Sequence, residues 1–142
     1  MFAKLALALQ LARKEENQAA QIFQSAQIEA SRAESDLDRA LKYRDEYFEM
    51  SEGQRTSNFA SQQLKVARLF LERINDLVSQ QRELVTAKIA RAELHKASWQ
   101  EARAKRKGVE RFIEKRETNK SIAADKNEQK LLDDLFLAGR SK

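Results

Sequence analysis

The chain has 142 residues, 35% of them charged, carries a formal net charge of +5, and contains 3 Gly, no Pro and no Cys. So few turn formers exclude a many-stranded sandwich or barrel and an alternating strand–helix domain. A single His and no Cys exclude a disulfide framework, a thiolate nucleophile and four-ligand zinc sites built from Cys and His. Hydrophobic residues make up 42% of the chain. Many are Ala set among Gln, Glu, Lys and Arg, the usage of a long helix or coiled coil rather than of a disordered segment.

The opening residues, Met1 to Ala12, combine one Lys with a short apolar run and so have the outline of a signal peptide. Gln10 interrupts the run, Arg13, Lys14, Glu15 and Glu16 end it, and no small-residue cleavage site with a change of composition follows. The run is also in phase with a repeat that continues well beyond it, so it reads as the start of a helix. No stretch approaches the ~20 apolar residues of a membrane span, and any membrane association is expected to be peripheral.

Taken in sevens, the first half gives two series: Phe2, Leu9, Glu16, Phe23, Ala30, Leu37, Arg44, and Leu5, Ala12, Ala19, Ala26, Ala33, Ala40, Tyr47. Seven heptads in register with only two polar members are a specific coiled-coil signal. Glu29 falls on the exposed face. The second half repeats the pattern less cleanly, as Leu64, Leu71, Val78, Val85, Ala92, Trp99 and as Ala60, Ala67, Ile74, Gln81, Lys88, His95, Ala102, Val109. Between them, Met50 to Asn58 combines a Gly with clustered polar cap formers. The pattern predicts one all-α domain: a helix over about 2–50, a turn over about 51–57 capped by Thr56, Ser57 or Asn58, and a helix over about 58–138.

A short turn between long helices forces an antiparallel hairpin, because each apolar stripe finds its nearest partner in its neighbour. Centring the turn near Gly53 makes facing positions sum to about 108. Leu37 then meets Leu71, Ala30 meets Val78, Phe23 meets Val85, and Leu9 meets Trp99. Glu16 falls between Lys88 and His95 as a polar register lock, or alternatively as a buried switch.

On that register residue 2 faces about residue 106, leaving a C-terminal helical overhang of ~45 Å on a second helix of ~120 Å, against ~75 Å for the first. Gly108 weakens a helix by only about 1 kcal/mol, so a bend there is open. The overhang carries Val109, Phe112, Ile113, Leu131, Leu132, Leu135 and Phe136 with no stripe of the same chain to cover them. Such a helix is either a docking element or a frayed tail.

Charge is uneven: residues 1–57 hold 8 basic and 10 acidic side chains, residues 58–142 hold 19 and 12. The basic peak, Arg103 with Lys105, Arg106 and Lys107, suits nucleic acid, anionic lipid, an acidic protein surface or plain solvent. Nucleic acid is disfavoured by the interleaved Glu101, Glu110 and Glu114 and by the lack of base-stacking aromatics or a known binding motif. A second feature lies near the turn. Asp36, Ala40, Tyr43 and Tyr47 follow i, i+4, i+7, i+11, and Val66, Phe70, Arg73 and Leu77 repeat that spacing across the hairpin. These stripes either thicken the seam or form an exposed aromatic patch for a protein partner.

Several segments together resemble the flagellar FliJ family: Tyr43 to Tyr47 (YRDEY), Thr56 to Asn58, Gln80 to Arg82, Ser98 to Gln100, and above all Asp125 to Asp134 (DKNEQKLLDD). The resemblance covers most of the chain. It implies a non-enzymatic coiled-coil stalk of the type III flagellar export apparatus, similar to the coiled coil of the rotary ATPase gamma subunit. It further implies binding to the hexameric export ATPase FliI, to the cytoplasmic domain of the gate protein FlhA, and to empty export chaperones, at the cytoplasmic face of the inner membrane. Virulence-type secretion stalk proteins share the architecture; a generic coiled-coil scaffold or a basic nucleic-acid-associated helix is the reading of another class.

On this expectation Asp36, Ala40, Tyr43, Tyr47, Val66, Phe70 and Leu77 face the gate, while Arg73 makes that surface more polar than a docking site needs. Arg13, Lys14, Arg103, Lys105, Arg106, Lys107, Arg111 and Phe112 face the ATPase. No phosphate-binding Gly-rich loop is present, so hydrolysis is expected to belong to the partner, and no cofactor is expected.

Overall fold

A computed structural model of the chain describes residues 2–55 and 61–140. It consists of two long helices packed against each other, α1 (Phe2–Arg55) and α2 (Ser61–Arg140), with no strand among the described residues. The helix-forming logic is compositional. Ala, Leu, Gln, Glu, Lys and Arg dominate both segments, and no Pro removes an amide from either ladder.

α1 runs about five residues further than its expected end, taking in Ser51 to Arg55 where the turn was expected to begin. The reason is energetic: one Gly costs about 1 kcal/mol, which flanking Glu49, Met50, Glu52 and Arg55 absorb as good helix formers. The candidate caps Thr56, Ser57 and Asn58 lie outside the described residues. Likewise α2 continues without interruption through Gly108, around which a Cβ would meet nothing within 4 Å.

The helices group into two compact units, Ala19–Trp99 and the pair of segments Met1–Gln18 with Gln100–Lys142. In the first unit, facing residues rise along α2 as they fall along α1, the signature of antiparallel packing: Tyr47 with Phe70, the Ala33 carbonyl with Gln81, Glu29 with Lys88, and Phe23 with Trp99. Its core is narrow. Ala26, Ala30 and Ala33 on α1 and Ile74, Val78, Val85 and Ala92 on α2 are buried, with Ala26, Ala30 and Ala92 forming one cluster. Small side chains on one helix let the backbones approach and receive the larger ones opposite.

These pairs correct the expected register. Their residue numbers sum to about 114–122, not about 108. Phe23 therefore stacks on Trp99, ring centroids 5.8 Å apart, instead of meeting Val85, and Ala30 clusters with Ala92 instead of meeting Val78. Because α1 ends at Arg55 and α2 is described from Ser61, the midpoint between them lies several residues beyond Gly53, which raises every sum. Glu29 is another correction: it is half-buried, and the Lys88 ammonium bonds its carboxylate at 3.0 Å.

In the other unit, Leu5, Ala6 and Leu9 share a groove with Ile113, Arg116, Glu117 and Lys120, so Leu9 shares its surroundings with Ile113, fourteen residues later on α2 than the expected Trp99. The part of α2 that shares a groove with α1 therefore reaches Lys120, well past residue 106. Val109 and Ile113 are half-buried and leave the set of uncovered apolar residues, while every side chain from 121 to 138 is exposed.

Candidate functional site

The aromatic patch is built on the part of the first unit that lies toward Arg55 and Ser61. Helical spacing places Tyr43 and Tyr47 one turn apart on α1, and Val66 and Phe70 one turn apart on α2. Tyr47 and Phe70 meet with ring centroids 4.9 Å apart and planes tilted by 42°, a favourable aromatic geometry. Tyr47 is half-buried by this contact, whereas Tyr43 is 51% and Phe70 41% exposed. Val66 and Leu77 are exposed, Ala40 is half-buried, and Asp36 forms an ion pair with Arg39 at the surface.

Arg73, also exposed, interrupts the apolar row between Phe70 and Leu77. Three exposed large side chains were not singled out from sequence: Phe48, Met50 and Leu69. Leu69 could have been found, since it stands at i+3 from Val66 on the same α2 face. The patch holds no group of ionisable side chains suited to a metal, and none occurs among the described residues.

The basic end is organised by Arg106. Its guanidinium donates from Nε to Glu16 Oε2 at 2.6 Å and from Nη2 to Glu16 Oε1 at 3.1 Å, and from Nη1 to Glu110 Oε2 at 2.9 Å. Arg13 Nη2 reaches Glu110 Oε1 at 3.4 Å, and Lys105 Nζ reaches Glu15 Oε2 at 3.2 Å. The bidentate fork is the geometry in which Arg binds a carboxylate most strongly. Hydrogen bonding from Arg106 holds the Glu16 and Glu110 carboxyls below the usual carboxylate range, and the two carboxylates raise the Arg106 guanidinium in return.

Glu16 is thus the seam charge expected, but its partner is Arg106. Lys88 holds Glu29, and His95 lines a shallow depression with Ile22, Ser25, Ala26, Glu29 and Arg91. Among the expected ATPase-facing residues, Arg13, Lys105 and Arg106 are engaged in ion pairs within the chain, Lys107 is half-buried, and Lys14, Arg103, Arg111 and Phe112 are exposed. The net charge is segregated: Met1–Gln18 with Gln100–Lys142 hold 15 basic and 10 acidic residues, and Ala19–Trp99 holds 12 of each.

An antiparallel pair of long helices, with an aromatic patch on one unit and the entire excess positive charge on the other, defines a small coiled-coil protein. No described helix is long and apolar enough to cross a membrane. The chain matches the family model of the flagellar FliJ protein over residues 1–141 and belongs to that family. It is thereby a component of the flagellar export apparatus, a structural part of a protein-transport machine. No curated protein and no solved structure matches it.

Proposed function

We propose that the protein is a non-enzymatic coupling stalk that binds and promotes assembly of the hexameric export ATPase FliI, contacts the FlhA cytoplasmic domain, and handles empty export chaperones. The observation that carries this reading is the family match across residues 1–141. Two physically different surfaces on separate units give it two places for partners. Tyr43, Tyr47, Val66 and Phe70 offer large, fairly rigid side chains of the kind that anchor interfaces, and they suit the gate. The basic unit offers several weak, exposed charge contacts, which retain a stalk in a ring without fixing it to one subunit.

Both activities place the protein in the cytoplasm, peripherally at the inner membrane at the flagellar base, where it serves motility by linking ATP hydrolysis in the partner to substrate entry. The deciding experiment is a pull-down from purified components, presenting the ATPase and the gate domain separately to the full chain. Retention by both, without nucleic acid, is the expected result. Retention by neither, with salt-sensitive duplex binding instead, would overturn the stalk reading in favour of a basic nucleic-acid-associated helix.

A further inference from the structure

Lys120 is the last α2 residue to line the groove it shares with Leu5, Ala6 and Leu9. Beyond it, Leu131, Leu132, Leu135 and Phe136 are 62–69% exposed, a contiguous apolar surface and not scattered single residues. Residues 121–142 hold 4 basic and 4 acidic side chains, so this surface has no charge bias toward a lipid headgroup layer or a nucleic acid. Its order along the chain supplies the partner.

Ile113, Glu117, Lys120, Ala124, Glu128, Leu131 and Leu135 succeed one another at intervals of four, three, four, four, three and four, which puts them on one helical face. That face is in large part self-complementary about Ala124, Glu117 opposite Leu131 being the pair that is not. Ile113 stands as far before Ala124 as Leu135 stands after it, and the same holds for Lys120 and Glu128, and for Phe112 and Phe136 on the flank. A surface that pairs with its own copy across a two-fold axis must have this property, because residue i meets j and j meets i.

We infer that the 113–136 segment of α2 pairs antiparallel with the same segment of a second copy, on an axis at Ala124. Leu131, Leu132 and Leu135 of each chain enter the other's groove beside Leu5, Leu9 and Ile113. Lys120 meets Glu128 twice, and the small Ala124 side chains sit where the backbones cross. The two-fold axis uses Leu131, Leu132, Leu135 and Phe136 twice, once on each chain. The apolar ends give stability, while the Lys120–Glu128 contacts select this register over a slip by one heptad.

Light scattering on the full chain, read across a wide concentration range, tests the pairing. The expected result is a mass rising from 16.4 kDa to twice that value with concentration. Leu131→Glu with Leu135→Glu should raise the dissociation constant by at least about tenfold with helicity by circular dichroism unchanged. Lys120→Glu and Glu128→Lys should each weaken the dimer, and the two together on one chain should restore it, which a general loss of stability would not do. A mass of 16.4 kDa at every concentration overturns the proposal, as does a dimer indifferent to the leucine changes or a charge swap that recovers nothing.

Discussion

Arg106 grips both carboxylate oxygens of Glu16 from the facing helix, at 2.6 and 3.1 Å, and the two side chains are only 21% and 16% exposed. Glu110 extends it to Arg13, so four charges from α1 and α2 form one chain of contacts. The carboxyls of Glu16 and Glu110 titrate below their ordinary value of 4.5, chiefly because Arg106 bonds their charged forms. A group whose pKa is depressed on folding adds stability above its unfolded pKa and loses it as pH falls through its folded pKa. The melting temperature should therefore hold from neutral pH to about 5 and decline below the ordinary carboxylate value. Glu16→Gln should lower it at neutral pH and flatten the decline. Thermal melts by circular dichroism across pH check this; an unaltered acid slope in the variant would assign the decline to other carboxylates.

The seam of the first unit makes a second prediction. Ala26 and Ala33 are 5% exposed, and their smallness lets α2 approach. Replacing either with Leu should destabilise the hairpin by about 1–3 kcal/mol, since an overpacked seam must separate the helices or strain its rotamers. Gln27, the residue after Ala26 and exposed off the seam, is the control and should tolerate the same change. Equal losses at Ala26 and Gln27 would contradict the assigned faces.

Much of this architecture was legible from spacing, and the part that was not follows from the nature of the repeat. Ala12, Ala26, Ala30 and Ala33 are buried as their heptad positions require, and Ile74, Val78, Val85 and Ala92 match them on α2. Which of them meet was not legible. An antiparallel pair slid by seven residues keeps every apolar position on the seam, so periodicity fixes faces and leaves the register to the connection and to specific contacts. A turn centred near Gly53 sets the register short, because α1 continues through that Gly to Arg55.

The errors in partners descend from that one displacement: Phe23 with Trp99, Leu9 with Ile113 and Glu16 with Arg106 are all later on α2 than expected. Tyr47 and Phe70, each a member of one flanking stripe, meet in the structure. The engagement of Arg13, Lys105 and Arg106 could not be read before the register was known, since a basic run looks the same in sequence whether its members face solvent or a carboxylate.

The aromatic patch makes the third prediction. Phe70 and Tyr43 each keep a large exposed surface, so Phe70→Ala and Tyr43→Ala should weaken binding of the gate domain by about tenfold or more while leaving retention by the ATPase unchanged. Tyr47→Ala and Phe70→Ala each remove one ring of the Tyr47–Phe70 contact and should also lower the melting temperature, whereas Tyr43→Ala should not. Titration calorimetry with the gate domain, paired with thermal melts, separates the two effects. Full gate affinity in the Tyr43 and Phe70 double variant would leave the patch as seam packing.

The basic unit makes the last prediction, and the ion pairs decide how it must be tested. Reversing Arg106 would break its bonds to Glu16 and Glu110 and so disturb the hairpin itself, which makes it a poor probe of a partner contact. Lys14 and Arg111 are exposed and Lys107 is half-buried, so Lys14→Glu, Lys107→Glu and Arg111→Glu together reverse the surface field while leaving the Arg106 contacts in place. Each exposed contact is worth only about 0–1 kcal/mol, so the effect should be collective and kinetic. Association with the ATPase should slow, stimulation of its hydrolysis should fall, and the dependence of both on salt should shrink, because long-range steering is what salt screens. Stopped-flow association at low and high ionic strength, with the melting temperature as the control for folding, measures all three. If the reversed protein associates and stimulates normally at both salt concentrations, the excess charge is a solvated face and these three side chains do not carry the ATPase contact.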